Sequence, residues 1–294
     1  MLKRSLLAAA AFVVLSGSAF AQTQAIDPAL FVVRDADSTM YLYGTVHVRP
    51  NGADWADAEV RAALAETQEI WTELLMTPET DAQTQQLALQ MGRAAPGRPL
   101  SSWLSAEENA KLNALTGRLG MPPGALEGFQ PWLAGLTLAI VPALQAGYNP
   151  ASGVDRNVDA FGDANGRTMR ALETVEQQLG FFTSLSEEAQ RQFLVESINE
   201  AENGVALLNQ MTAAWEQGDV ALLEQLVITE TRRDYPEVYR ALFVDRNNAW
   251  MEVLTREMAG SGVDFVAVGA GHLIGEDGLV AQFRARGFTV ERVE

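Results

Sequence analysis

Apolar residues follow two kinds of spacing along this chain, and the two kinds occupy different regions. Short β-prone runs cluster near the ends, while most of residues 81–258 has the spacing of amphipathic helices. The predicted strands are residues 29–33, 39–46, 69–75, 167–172, 263–268 and 288–293. We therefore expect a mixed α/β fold over residues 22–294, a single domain. A central mixed β-sheet of N- and C-terminal strands would be wrapped by the helix-rich middle segment.

The first part of the chain predicts a β-α-β unit. A helix over residues 54–66 separates the strand candidates 39–46 and 69–75, and this order implies a parallel pair with a right-handed crossover. Alternation along the second strand places Glu73 on the side opposite Thr72, among apolar neighbours. Glu73 is then either a carboxylate held in an apolar setting or an ordinary acid of an edge strand.

The chain has two histidines, and both end the same local pattern. Tyr41–His47 and Phe265–His272 each consist of an apolar, β-prone run, a glycine, two small residues and then His. A strand that presents an imidazole at its end is a common way to build a site on a rigid scaffold. We predict that the fold brings His47 and His272 together.

Two imidazoles and one carboxylate can hold a divalent metal ion and leave positions open for water and substrate. We expect His47, Glu73 and His272 to be the ligands of such an ion, with Mn, Co or Zn as candidates. The ion would lower the pKa of bound water and polarise a carbonyl. The glycines that would let the backbone crowd this site are Gly44, Gly269 and Gly271.

The same residues fit two other interpretations. Without a metal, one His would act as a general base, Glu73 would orient it or share its proton, and Arg246 would stabilise an oxyanion or pair with Glu73. Arg246 stands with two Asn residues in the middle of a predicted helix, where helix propensity does not account for them. In the plainest alternative, each His donates to a backbone carbonyl and only ends its strand.

The composition argues against several classes of function. A formal charge of −17 repels phosphate backbones and anionic lipids, so we expect no nucleic-acid partner and no anionic membrane surface as a partner. The absence of cysteine excludes disulfides, thiolate ligands and a thiol nucleophile. No segment after residue 21 predicts a stable membrane span.

Residues 1–21 have the pattern of a secretory signal peptide. Lys3 and Arg4 precede a short apolar run, and Ala19 and Ala21 supply the small residues that signal peptidase recognises. We predict cleavage after Ala21 and a periplasmic or secreted protein. The alternative is an uncleaved membrane anchor.

These motifs resemble those of the TraB/GumN family, which is related to the Tiki proteins and more distantly to erythromycin-esterase and ChaN-like proteins. The resemblance rests on Gly44-Thr-Val-His47, on Gly269-Ala-Gly-His272 and on Glu73, which follows the first His as the family's glutamate does. It covers the chain from about residue 29 to the C-terminus. The further stretches that resemble family motifs are Gly153-Val-Asp155, residues 170–179 and Asp245-Arg246-Asn247. One departure is the apolar stretch after Glu73, where the family has an acid, and it makes Glu69 a rival for the carboxylate role.

The resemblance implies a hydrolytic or ligand-binding role. Tiki proteins are similar to metal-dependent proteases, erythromycin esterases use a similar set of residues for hydrolysis, and ChaN-like proteins bind haem. We therefore expect an exported, metal-dependent hydrolase of peptidase type that acts on a peptide or small-molecule substrate. The residues expected to carry this chemistry are His47, Glu73, Arg246 and His272. The alternative is a non-catalytic periplasmic protein that binds haem or another ligand, or that regulates a partner, on the same fold.

Overall fold

A six-stranded mixed sheet forms the centre of the molecule. The structure is a computed structural model that describes residues 26–294, so the predicted signal peptide and its cleavage site lie outside the described residues. The strands in chain order are β1 (Leu30–Arg34), β2 (Ser38–Thr45), β3 (Arg49–Pro50), β4 (Glu69–Thr72), β5 (Tyr148–Asn149), β6 (Thr168–Ala171), β7 (Gly262–Gly269) and β8 (Thr289–Arg292).

The sheet has the order β6-β4-β7-β2-β1-β8. The first four of these strands run parallel to one another, while β1 pairs antiparallel with both β2 and β8. Strands from the two ends of the chain therefore share one mixed sheet, which confirms the predicted fold class. The parallel pair of β2 and β7 places the ends of the two Gly-x-x-His runs side by side, with Thr45 opposite Gly269.

The expected direct pairing of β2 with β4 is wrong in one respect. Both strands are parallel, as a β-α-β unit requires, but β7 lies between them and pairs with each. The physical reason is burial. Phe265, Val266 and Val268 are inaccessible to solvent, and a strand that is apolar on both sides is most stable at the centre of a sheet covered on both faces.

Helices cover the sheet and form most of the middle of the chain. Their bounds are α1 (Ala58–Glu66), α2 (Pro78–Met91), α3 (Ala106–Arg118), α4 (Pro131–Gln145), α5 (Val154–Ala164), α6 (Val175–Thr183), α7 (Glu187–Glu200), α8 (Gly204–Glu216), α9 (Val220–Leu223), α10 (Glu230–Asp234), α11 (Pro236–Tyr239), α12 (Asp245–Met258) and α13 (Leu279–Ala285). Short 3-10 turns occur at Leu100–Trp103, Pro150–Ser152 and Ala270–His272. Two π-helical segments, Glu224–Thr229 and Arg240–Val244, join α9 to α10 and α11 to α12.

Several helix ends follow directly from the sequence. Ser105-Ala-Glu-Glu108 has the sequence pattern of a capping box, and the structure forms it: the Ser105 hydroxyl accepts from the Glu108 N–H, and the Glu108 carboxylate accepts from the Ser105 N–H. The helical region of the middle of the chain ends at Met258, as its spacing predicts, and a π-helical segment directly precedes its last helix, α12. After His47 the chain continues with β3, which pairs antiparallel with β5. No helix in residues 26–294 is long and apolar enough to cross a membrane.

Candidate active site

Four candidate site side chains follow the carboxyl ends of four parallel strands. His47 comes two residues after β2, Glu73 directly after β4, and Glu173 two residues after β6. His272 closes the 3-10 turn that follows β7. Because parallel strands end at the same edge of a sheet, these side chains meet there, and this edge is where open α/β sheets bind their ligands.

The three predicted metal ligands converge around Gly269. A methyl group built on its Cα would lie 3.2 Å from Glu73 Oε1, 3.5 Å from His47 Nε2 and 3.6 Å from His272 Cδ2. The Gly269 N–H also donates to Glu73 Oε1 at 2.8 Å. A side chain at this position would occupy the space that the three groups share, which is the physical reason for a glycine there. The structure thus brings His47, Glu73 and His272 together.

His272 is buried and neutral. The side-chain amide of Asn247 donates to the backbone carbonyls of His272 and Asp277, so its Oδ1 accepts from His272 Nδ1–H at 2.7 Å. The lone pair of Nε2 then faces the site, where Arg246 NH1 donates to it at 3.0 Å. Burial, together with the positive charges of Arg246 and His47, lowers the pKa of His272 to about 3. The aromatic rings of Trp250 and Phe243 pack against this imidazole.

His47 is exposed and carries a proton. Its Nδ1 lies 2.9 Å from Asp155 Oδ2, and Asp155 also accepts from the Thr45 hydroxyl. The negative charge of Asp155 raises the pKa of His47 to about 9, and the hydrogen bond between them acts in the same direction. The side chain of His47 is 61% exposed, whereas that of His272 is 5% exposed. His47 is therefore the imidazole that an incoming molecule can contact.

Arg246 holds two buried carboxylates. Its NH2 donates to Glu73 Oε2 at 2.5 Å and its Nε donates to Glu173 Oε1 at 2.7 Å. Burial alone would raise the pKa of Glu73, but the positive charges of Arg246 and His47 and the hydrogen bond from the Gly269 N–H hold it well below its usual range. The pKa of Glu173 rises to about 7, because burial and the charge of Glu73 outweigh its pairing with Arg246. Glu73 is ionised, and Arg246 forms ion pairs with both carboxylates.

Glu69, the rival carboxylate, lies at the other end of the same strand. It is the first residue of β4, and it accepts from both Nε and NH2 of Arg170. Glu73 is the carboxylate that lies beside the histidines, with its Oε1 3.9 Å from His272 Nε2.

Residues 29–292 match the description of the TraB/PrgY/gumN family. The chain belongs to that family. The match confirms the resemblance drawn from the two Gly-x-x-His motifs. No curated protein and no solved structure matches the chain.

In this TraB/PrgY/gumN member, His47, Glu73 and His272 are of the kinds of side chain that bind a divalent ion. Their spacing fits such an ion less well. His272 Nε2 and Glu73 Oε1 are 3.9 Å apart, which suits two ligands of one ion. His47 Nε2 points toward the same space. Among residues 26–294, however, the ligand atoms of His47, Glu73 and His272 do not all lie within 4.8 Å of one another. Arg246 NH1 also shares the lone pair of His272.

Three further residues contact the side chains of the site, and their sequence context had not indicated these roles. Asp155 orients His47, Asn247 orients His272, and Glu173 shares Arg246 with Glu73. Asn247 had a sequence signal, because it is a polar residue in the middle of a helix. Asp155 and Glu173 lay within the motifs that resemble the family, but nothing in their local pattern indicated which side chains they would contact.

Proposed function

We propose that this protein is an exported, metal-dependent hydrolase of peptidase type. The observation that supports the proposal is the convergence of His47 Nε2, the His272 ring and the Glu73 carboxylate around Gly269, at the ligand-binding edge of the sheet. Each imidazole has its Nδ1 held by an oxygen of the protein, which fixes the tautomer and aims Nε2 into the site. The resemblance to Tiki proteins favours a peptide as the substrate.

The side chains would have different roles, which follow from their surroundings. His47 is exposed, so it is the ligand that an incoming substrate would contact. Glu73 and His272 are buried and carry no proton on the atoms that face the site, so they would act as fixed acceptors. Arg246 would position Glu73 rather than bind an oxyanion, because its guanidinium already donates to protein acceptors on every nitrogen.

A divalent metal ion would be held by His47, Glu73 and His272. When bound, such an ion lowers the pKa of a water molecule and polarises a carbonyl. Its binding would require His47 to lose its proton and would compete with Arg246 NH1 for the lone pair of His272. Metal affinity is therefore expected to rise with pH across the pKa of His47.

The proposal can be tested on protein purified without a histidine tag. Elemental analysis would measure divalent metal per chain, and a peptide and ester library would reveal hydrolysis. Replacement of His47 or His272 by Ala, or of Glu73 by Gln, should reduce kcat/KM at least about 100-fold and remove the metal, because each removes one of three ligands. The exposed Glu59→Gln variant on α1 is the control that keeps both properties.

Two results would overturn the proposal. The first is hydrolysis that survives both His47→Ala and His272→Ala. The second is the absence of both metal and hydrolysis, combined with a Soret band on haem titration that His47→Ala abolishes. That second result would establish the binding role in place of catalysis.

A further inference from the structure

The chain bends at His47, and the start of α5 packs against this bend. The Val46 carbonyl accepts from the Val154 N–H at 2.9 Å. A methyl group on the Cα of Gly153 would lie 2.5 Å from the His47 carbonyl oxygen, so the two backbones approach closely. The same helix carries Asp155, which binds His47 Nδ1. These contacts hold the bend itself, and the chain that leaves it is held by other residues.

Arg49 fixes the chain two residues after His47. Its side chain is 1% exposed. Its NH1 donates to the Asp54 carbonyl, and its NH2 donates to the Glu216 carboxylate at the end of α8. The guanidinium also lies over the Trp215 ring, 4.6 Å from its centre. One buried side chain therefore joins the start of β3 to the segment before α1 and to α8.

The strand before the bend is tied to the same two segments. The Trp215 indole donates to the Gly44 carbonyl at 2.6 Å. The Tyr43 hydroxyl donates to the Trp55 carbonyl, which is next in the chain to the carbonyl that Arg49 binds. The chain that enters the bend and the chain that leaves it are thus held by the same parts of the molecule.

Stability alone is a poor explanation for an arginine at this position. Burial removes water from the charge, and the Arg49 Nε is buried with no hydrogen-bond partner among residues 26–294. Apolar residues of similar volume often replace buried ion pairs without loss of stability. An apolar side chain cannot, however, donate to a carbonyl and a carboxylate from one rigid plane. The property that depends on arginine is therefore the geometry of the bend.

We propose that Arg49 is the positioning residue for His47. By holding the chain that leaves the bend, it keeps the imidazole turned so that Nδ1 meets Asp155 and Nε2 faces Gly269. Without Arg49 the bend relaxes, and the exposed ring leaves Asp155 for part of the time. The consequence for hydrolysis rests on the proposed function, whereas the consequence for the ring does not.

The test is nitrogen-15 resonance of the two imidazole rings in Arg49→Met. At about pH 5, His47 is protonated with or without its partner, so its Nδ1 signal reports the hydrogen bond rather than the charge. In Arg49→Met this signal should move toward its position in Asp155→Asn. The His272 signal should stay in place, because Asn247 holds that ring. His47→Ala assigns the two rings, and a general loss of structure would move both signals.

Arg191→Met is the matched control. Like Arg49, Arg191 donates to one carbonyl, that of Trp103, and to one carboxylate, that of Glu108. The structure places these contacts between α7 and the region around α3. Arg191→Met should therefore leave both imidazole signals in place.

A second variant keeps the test decisive if Arg49→Met does not fold. Glu216 is 37% exposed and can be hydrated when Arg49 is removed, so Arg49→Met is expected to fold. Arg49→Lys retains the charge but lacks the planar fork, and it should move the His47 signal in the same direction.

Hydrolysis of a peptide gives a further readout. In Arg49→Met, kcat/KM should fall about 10- to 100-fold, because a displacement of about 1 Å can have an effect of this size. A parent protein without hydrolysis would count against the proposed function and would leave the resonance test valid. The inference fails if folded Arg49→Met or Arg49→Lys keeps the His47 signal of the parent, or if Arg191→Met moves that signal as far.

Discussion

At the scale of single residues, the two histidines have the same sequence context and opposite chemical states. Each follows a strand, a glycine and two further residues, yet His272 is neutral and buried while His47 is protonated and exposed. The difference comes from their partners. An amide oxygen of Asn247 holds one ring and a carboxylate of Asp155 holds the other. A carboxylate stabilises the imidazolium, whereas an amide does not.

Nuclear magnetic resonance of the metal-free protein should resolve this difference, because the chain contributes two imidazoles. His47 should titrate with a midpoint near the pKa of about 9 that Asp155 gives it, and His272 should stay neutral down to about pH 4. Asp155→Asn should move the midpoint of His47 down toward its ordinary value of 6.5. His47→Ala assigns the signals. Two midpoints near 6.5 in the parent protein would contradict the described contacts.

Arg246 is expected to dominate the stability of the site. Arg246→Met would leave Glu73 and Glu173 buried without a positive charge, at a cost of about 3–5 kcal/mol in the free energy of unfolding. Adding Glu173→Gln should recover part of this loss, because one uncompensated charge is removed. Urea unfolding measures both effects. Arg240→Met, at an exposed position one turn and a half earlier, should cost less than about 1 kcal/mol. Equal costs at the two positions would count against the buried pairing.

At the scale of helices and strands, the sequence predicted the features that depend on residues close together in the chain. The strands that lead to the histidines, the capping box at Ser105 and the end of α12 follow from local spacing and turn residues. The π-helical segment Arg240–Val244 did not, because one extra residue per turn leaves no clear periodic signal. That segment matters to the site, since the Leu242 carbonyl accepts from Arg246 and the Phe243 ring packs on His272. Asp155 was missed as a partner of His47 because that contact depends on how α5 packs against the loop after β2.

A substitution at the end of β7 would distinguish an effect on folding stability from an effect on activity. Gly269 has φ −47°, which any residue adopts, so Gly269→Ala should alter the free energy of unfolding by less than about 1 kcal/mol. Its methyl group would fill the space between Glu73, His47 and His272, and hydrolysis should fall about 100-fold.

The matched control for this change is Gly117→Ala in α3, where the added methyl group meets no atom within 4 Å. It should stabilise the helix by up to about 1 kcal/mol and keep full activity. Unchanged hydrolysis in Gly269→Ala would show that this space is not the site of reaction.

At the scale of the whole molecule, the site exists because the last part of the chain enters the middle of the sheet. The paired Gly-x-x-His runs predicted that the two ends meet, and they do so as neighbouring strands. The order of the strands was not predictable, because β4 could pair with β2 or with β7 on local pattern alone. The choice depends on burial. β7 has eight residues, most of them inaccessible to solvent, while β4 has four. The longer apolar strand gains more from the central position.

Two truncations would test this dependence on the central strand. A chain that ends at residue 287 loses only β8, at the edge of the sheet, and should keep one cooperative urea transition with a lower midpoint. A chain that ends at residue 261 loses β7 and α13 as well as β8, and β2 and β4 are left without their shared partner. It should show no cooperative transition and should bind a hydrophobic dye, because the apolar faces of the sheet no longer pack. A cooperative transition in the shorter chain would mean that β2 and β4 pair directly when β7 is absent. The position of β7 would then be a competition between two stable pairings rather than a requirement for folding.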